Sequence, residues 1–186
     1  MLHETEADRA RMLPRIDHLI SNCYAREAWT EAAALAELCA EAEDRNPRHW
    51  NNLGLFLRYQ ADEAKKDETL LPAVMTALAE RSLEAYERAL ELAPDDPGLV
   101  NDTAVLLHYY LDRDLERAGE MYLRAAELAR AKLSAEELPE DERASLEKVV
   151  ADATANTAAL AGGPTPEDAP GGDSGAQDGD APPPGE

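Results

Sequence analysis

Four histidines (His3, His18, His49, His108) and two cysteines (Cys23, Cys39) are the side chains best equipped to hold a metal or move a proton in this chain. Their spacing supports neither task. No Cys-x-x-Cys pair occurs, and no histidine follows a glutamate by three residues, the ligand spacing of di-iron helical bundles. Glycine-rich phosphate loops of either standard spacing are absent too. Asp17-His18 is too common a pair to carry meaning alone. His108 lies beside Tyr109 and Tyr110 in a helical pattern, where it reads as a groove-lining residue rather than a base. No catalytic residue, cofactor or metal is therefore expected. Asparagine amides and tyrosine rings remain, groups that make contacts rather than carry out reactions.

Helices must position those groups. The segments Leu13–Arg26, Thr30–Asp44, Pro47–Lys66, Pro72–Leu92, Pro97–Leu111 and Asp114–Lys132 carry apolar residues at three- and four-residue spacing. Alternating β-branched runs are missing, so no strand is expected. Asn46 and Asp96 are good N-caps, each followed by proline at the first helical position and each worth about 1 kcal/mol. Pro14 and Pro72 also read as lying near helix starts. A last helix begins at Ser134, which has capping-box spacing to Glu137, or at Glu140 after Pro139, and runs to Ala161. Leu146, Val149, Val150, Ala153, Thr157 and Leu160 form its single apolar stripe, as suits a helix that closes the end of a stack.

Beyond residue 161 the pattern stops. Residues 162–186 hold 7 of the 10 glycines, 6 of the 12 prolines, six acids and no base, with three alanines as their only apolar side chains. Such a segment cannot offset its ordering entropy, so a disordered acidic tail is expected. Gly172-Asp173-Ser174-Gly175 resembles the nucleophile motif of trypsin-like serine proteases, but that motif needs two β-barrels around it, so here it is composition noise. Removing the tail's six acids from the formal charge of −21 leaves −15 on residues 1–161. That balance argues against nucleic acid and anionic membrane as partners. With 14 Arg against 4 Lys, much of the positive charge suits ion pairs with neighbouring carboxylates. Two cysteines are no disulfide framework, which suggests a reducing compartment. Met1 to Arg11 shows no signal peptide, and the longest uncharged apolar-leaning run, Thr69 to Ala79, is far short of a membrane span, so a cytoplasmic location is expected.

The chain also matches itself at a shift of 50 residues, from Asn46-Pro47 to Asp96-Pro97. Trp50, Leu53, Gly54 and Leu57 form one helix signature; Ser82, Tyr86, Ala89 and Pro94 form a second. On these residues the chain resembles the tetratricopeptide repeat family, whose 34-residue unit is a pair of antiparallel helices. The first unit matches through Trp29, Ala32, Ala36 and Cys39, with Ile16, Leu19, Ile20 and Cys23 as a degenerate first helix. The third matches through Val100, Thr103, Ala104 and Leu107, then Leu115, Ala118, Tyr122 and Ala125 after about two extra residues. The resemblance implies an all-α solenoid with units at about 13–46, 47–96 and 97–132, and a capping helix at about 134–161. The tail of 162–186 completes the chain.

A 50-residue spacing exceeds the 34-residue unit by 16 residues, which fall between Tyr59 and Arg81. Both helices of the middle pair therefore run about two turns longer, or about 12 Å, beyond their neighbours. The tip of that hairpin carries Lys65, Lys66 and Asp67 beside Leu70, Leu71, Val74 and Met75. It is a candidate contact for a partner or a second copy of the chain, or else packs on the terminal helix.

By resemblance, the concave face is lined by first helices. The residues on it are Arg48, Asn51, Asn52, Leu55, Arg58 and Tyr59 from the middle unit and Asn101, Asp102, Val105, His108 and Tyr109 from the third. The first unit adds Asp17, Ser21 and Tyr24. The function implied is a non-enzymatic adaptor that holds a protein segment in this groove. Two alternatives stand beside it: a small chaperone for an apolar client, as some three-unit family members of bacterial secretion systems are, and a homodimer built through the long hairpin. Arg48 and Arg58 fall short of the basic cluster by which some family members grip a C-terminal carboxylate, so an acidic peptide tail is not the expected ligand.

Overall fold

In a computed structural model, residues 6–67, 71–135 and 137–162 are described, with no account of the side chains of residues 6–11, 13 and 14. The acidic tail from residue 163 and Leu70 lie outside the described residues. Among those described, the chain forms seven α-helices and no strand: α1 (Glu6–Ala25), α2 (Trp29–Ala42), α3 (Pro47–Lys66), α4 (Pro72–Leu92), α5 (Pro97–Val105), α6 (Leu115–Leu133) and α7 (Glu140–Leu160). The two Asx-Pro starts behave as the residues require. The Asn46 side chain accepts from the backbone N–H of Arg48 at 3.1 Å, and that of Asp96 from Leu99 at 3.0 Å. The prolines that follow lose nothing, because first-turn N–H groups have no intrahelical acceptor.

Two boundaries differ from the sequence reading, and a third falls on one of its two alternatives, Glu140 rather than Ser134. α1 starts at Glu6, so Pro14 lies inside it instead of near its start. Pro14 leaves the carbonyl of Ala10 without its helical donor, and the alanine, glutamate and arginine around it are strong enough helix formers to carry the helix through. Ser134 does not open the last helix. It ends α6, its hydroxyl donating to the Ala131 carbonyl at 2.6 Å, and α7 starts after Pro139 with Glu140, Asp141 and Glu142 at the positive end of its dipole. The second difference is a π-helical turn, Leu106–Tyr110, that continues α5. The Leu111 N–H reaches back to Leu106 at 3.0 Å, and Asp112 and Asp114 then take left-handed backbone angles (φ of 45° and 50°) to reverse the chain. This is how the third pair absorbs its extra residues.

Neighbouring helices pack as antiparallel pairs, α1 with α2, α3 with α4 and α5 with α6, and α7 lies against both α5 and α6. Second-helix signatures are buried in every pair: Ala32, Ala36 and Cys39; Ser82, Tyr86 and Ala89; Ala118, Tyr122 and Ala125. In the middle pair Gly54 lets the Tyr86 ring come so close that a Cβ on residue 54 would sit 2.9 Å from it. The Ser82 hydroxyl donates to the Gly54 carbonyl at 2.6 Å beside that contact. Glycine is required here by close approach, not by backbone angle. Leu19 and Leu115 depart from their expected stripes; both are exposed.

Cross-unit contacts sort the helices into two layers. In the even layer, Arg81 of α4 reaches Glu37 of α2 at 3.0 Å, and Arg117 of α6 reaches Glu87 of α4 at 2.8 Å. Arg113, just before α6, makes a two-pronged bond to Glu80 at 2.6 and 2.8 Å. These are the ion pairs that the arginine bias predicts, each exposed and worth about 0.2–1 kcal/mol. The odd layer is α1, α3, α5 and α7. Here Leu146, Val149 and Ala153 of α7 are buried and close the stack, as their stripe predicts.

Candidate functional site

The odd layer holds the residues expected to meet a partner, and the structure treats them unequally. Arg48 is exposed on the first turn of α3, and Asn51 and Asn52 are half-buried one turn later. Neither asparagine amide has a hydrogen-bond partner among the described residues. Of the first-unit residues, Asp17 and Tyr24 are half-buried and Ser21 is exposed, its hydroxyl donating to the Asp17 carbonyl at 3.0 Å.

The rest are committed inside the protein. Leu55 and Val105 belong to the core. Arg58, 4% exposed, meets Asp102, 1% exposed, at 3.2 Å and so ties α3 to α5. Burial works against the charge on Arg58, but Tyr86, Asp102, Tyr110 and Tyr59 outweigh it and hold the guanidinium well above its ordinary pKa. Next to this pair the Tyr110 hydroxyl donates to Asp62 at 2.6 Å, and burial pushes the Tyr110 pKa far up. Tyr59 packs on Trp29 at 4.3 Å between ring centroids, tilted by 34°, and leans on Tyr24 at 6.4 Å, tying α3 to the first pair. Asn101 is fully buried and its amide has no hydrogen-bond partner among the described residues, a state that costs about 1–3 kcal/mol.

At the far end of the layer the terminal helix takes part. The Tyr109 hydroxyl donates to Asn156 of α7 at 2.9 Å, and burial raises its pKa. His108 stacks on Tyr109 at 4.0 Å, and its Nδ1 lies 3.4 Å from the Tyr122 hydroxyl. Burial lowers the His108 pKa, which favours a neutral ring that can accept from that hydroxyl. These contacts engage the Tyr109 hydroxyl and the Nδ1 of His108 within the fold.

One constellation escaped the sequence reading. Asp17, Cys39 and His49 come from α1, α2 and α3, 22 and 10 residues apart, and their ligand-capable atoms lie within 4.8 Å of one another. Glu43 accepts from Asn46 and lies 3.0 Å from His49 Nε2, and these bonds lower its pKa. Burial, then the carboxylates of Asp17 and Glu43, push the Cys39 thiol up to about 11. No spacing rule gathers residues from three different helices; only the way two helix pairs meet does so.

No protein-family model matches the chain, and no curated protein matches it by sequence. Among solved structures, it is similar to PcrH, crystallised in complex with the chaperone binding region of PopD. The TM-score is 0.63 at 20% identity, over 87% of this chain and 98% of that one. At that identity the likeness speaks for the fold, a stack of helix pairs. No helix among the described residues is long and apolar enough to cross a membrane.

Proposed function

We propose that this chain is a non-enzymatic protein-interaction module that takes a segment of a protein partner along its odd layer. The observation that carries the reading is the pair of adjacent amides, Asn51 and Asn52, half-exposed on α3 and without partners among the described residues. Beside them Arg48 is exposed. Two amides offer donors and acceptors in the pattern an extended backbone needs. Support comes from the likeness to PcrH, whose structure was solved with a segment of another protein bound. The same likeness favours, as a second reading, a small chaperone for an apolar client, and the formal charge of −21 suits keeping such a client in solution. In either role the partner is a protein, neither nucleic acid nor membrane, and the protein acts in the cytoplasm.

Within the expected groove, the fold-bearing residues make poor probes. Removing Tyr59 breaks its ring contact with Trp29, and removing Arg58 breaks the pair with Asp102. The test is therefore a pulldown with the intact chain and with the triple substitution Arg48→Glu, Asn51→Ala, Asn52→Ala. A partner retained by the first and lost by the second is expected, with the two circular dichroism spectra alike. Equal recovery of that partner by both proteins removes the assignment.

A further inference from the structure

We propose that Asp17, Cys39 and His49 form a zinc site that ties α1, α2 and α3 together. Each helix supplies one ligand: a carboxylate, a thiol and an imidazole, with donor atoms within 4.8 Å of one another. Tetrahedral zinc, with bonds of about 2.0–2.3 Å, places its donors roughly 3.4–3.6 Å apart, so side-chain closure of about an ångström completes the site. His49 supplies the second and independent observation. It is 4% exposed, and its Nδ1 is buried with no hydrogen-bond partner among the described residues. Its Nε2 lies 3.0 Å from the Glu43 carboxylate. With the proton on Nε2 and donated to Glu43, the Nδ1 lone pair is left free, the arrangement by which an outer carboxylate orients a metal-binding histidine.

The donor set selects the metal. Sulfur and nitrogen ligands suit Zn²⁺ and are foreign to Mg²⁺ and Ca²⁺, which take oxygen. Binding exchanges the Cys39 S–H bond for a Zn–S bond and releases the thiol proton to solvent. Three protein ligands leave a fourth position for water. Packing does not require sulfur at this place. Residue 39 corresponds to Ala89 and Ala125 in the other two pairs, both fully buried, so a methyl group satisfies the same contact.

That correspondence also supplies the test, since Cys39→Ala should fold. The full chain is titrated with Co²⁺ as an optical probe and with Zn²⁺ against a chromophoric chelator, and thermal unfolding is followed with and without Zn²⁺. One equivalent of Zn²⁺ is expected, together with a thiolate-to-cobalt charge-transfer band and a melting temperature raised by the metal. Cys39→Ala is expected to lose the band with its dichroism unchanged, while Cys23→Ala keeps it. Asp17→Asn keeps the band but weakens Zn²⁺ binding, and Glu43→Ala weakens it by roughly 10–100-fold. Zinc uptake that is the same in Cys39→Ala as in the native chain marks scattered binding to the acidic surface and overturns the site. So does the absence of the band, or an Asp17→Asn protein with native affinity.

Discussion

Gly54 shows how one atom's absence sets the spacing of a helix pair. The Tyr86 ring occupies the space a Cβ would need, and the Ser82 hydroxyl bonds the carbonyl of the same glycine. Alanine has the higher helix propensity by about 1 kcal/mol, so propensity alone says Gly54→Ala stabilises. The contact at 2.9 Å says otherwise: either the ring or the helix must move, at a cost of about 1–3 kcal/mol. Gly119 is the control, because a Cβ there would meet Leu160 at 3.8 Å, an ordinary contact. Urea unfolding is expected to show Gly54→Ala less stable than the native chain and Gly119→Ala more stable, by up to about 1 kcal/mol. Equal and positive shifts in both would mean that the Gly54–Tyr86 approach is not tight. The single-residue signals that were legible in sequence were of this type, small residues at fixed offsets, since their role follows from size. The Asp17–Cys39–His49 group was not legible, because its proximity depends on how three helices meet.

At the level of elements, counting gave the lengths of α3 and α4, 20 and 21 residues, but their expected two-turn excess holds against the 14 of α2 and not against α1 and α6, which run 20 and 19. The Asn46 and Asp96 caps marked the starts of α3 and α5 to the residue. What counting missed was the π turn after α5 and the early start of α1, both settled by backbone hydrogen bonding that no residue type announces. The described part of the middle hairpin's tip carries exposed apolar side chains. Leu71 is 71% exposed and Val74 is exposed beside it, with Met75 half-buried behind. Apolar surface at the end of an arm predicts self-association through the tip. Multi-angle light scattering should then give the native chain a mass near twice the 20.3 kDa of one copy, and Leu71→Asp should return it to one. The exposed position makes the substitution nearly neutral for folding. A native mass of one copy, or a double mass that survives Leu71→Asp, rules the tip out as the interface.

Across the whole molecule, stability depends on how each pair holds the next, because a stacked unit cannot bury its faces alone. Side chains of the odd layer join successive elements by three chemically different contacts: Tyr59 against Tyr24 and, from the even layer, Trp29; the Arg58–Asp102 pair; and the Tyr109–Asn156 hydrogen bond. This is why several positions that face a ligand by sequence alignment with the repeat are spent within the fold instead. The resemblance places position 58 on the concave face; it does not tell that a carboxylate 44 residues on is waiting there. The pair is the sharpest test of coupling between units. Asp102→Ala removes the carboxylate that Arg58 meets and leaves the guanidinium in a site closed to water, which should cost about 3–5 kcal/mol. Replacing both partners by apolar residues of similar size, Arg58→Met with Asp102→Leu, removes the buried charges together and should recover most of that loss. Denaturant unfolding of Arg58→Met, of Asp102→Leu and of the double variant closes the cycle. If the double variant is as unstable as the sum of the singles, the two side chains act independently, and α3 and α5 are held together by their apolar contacts alone.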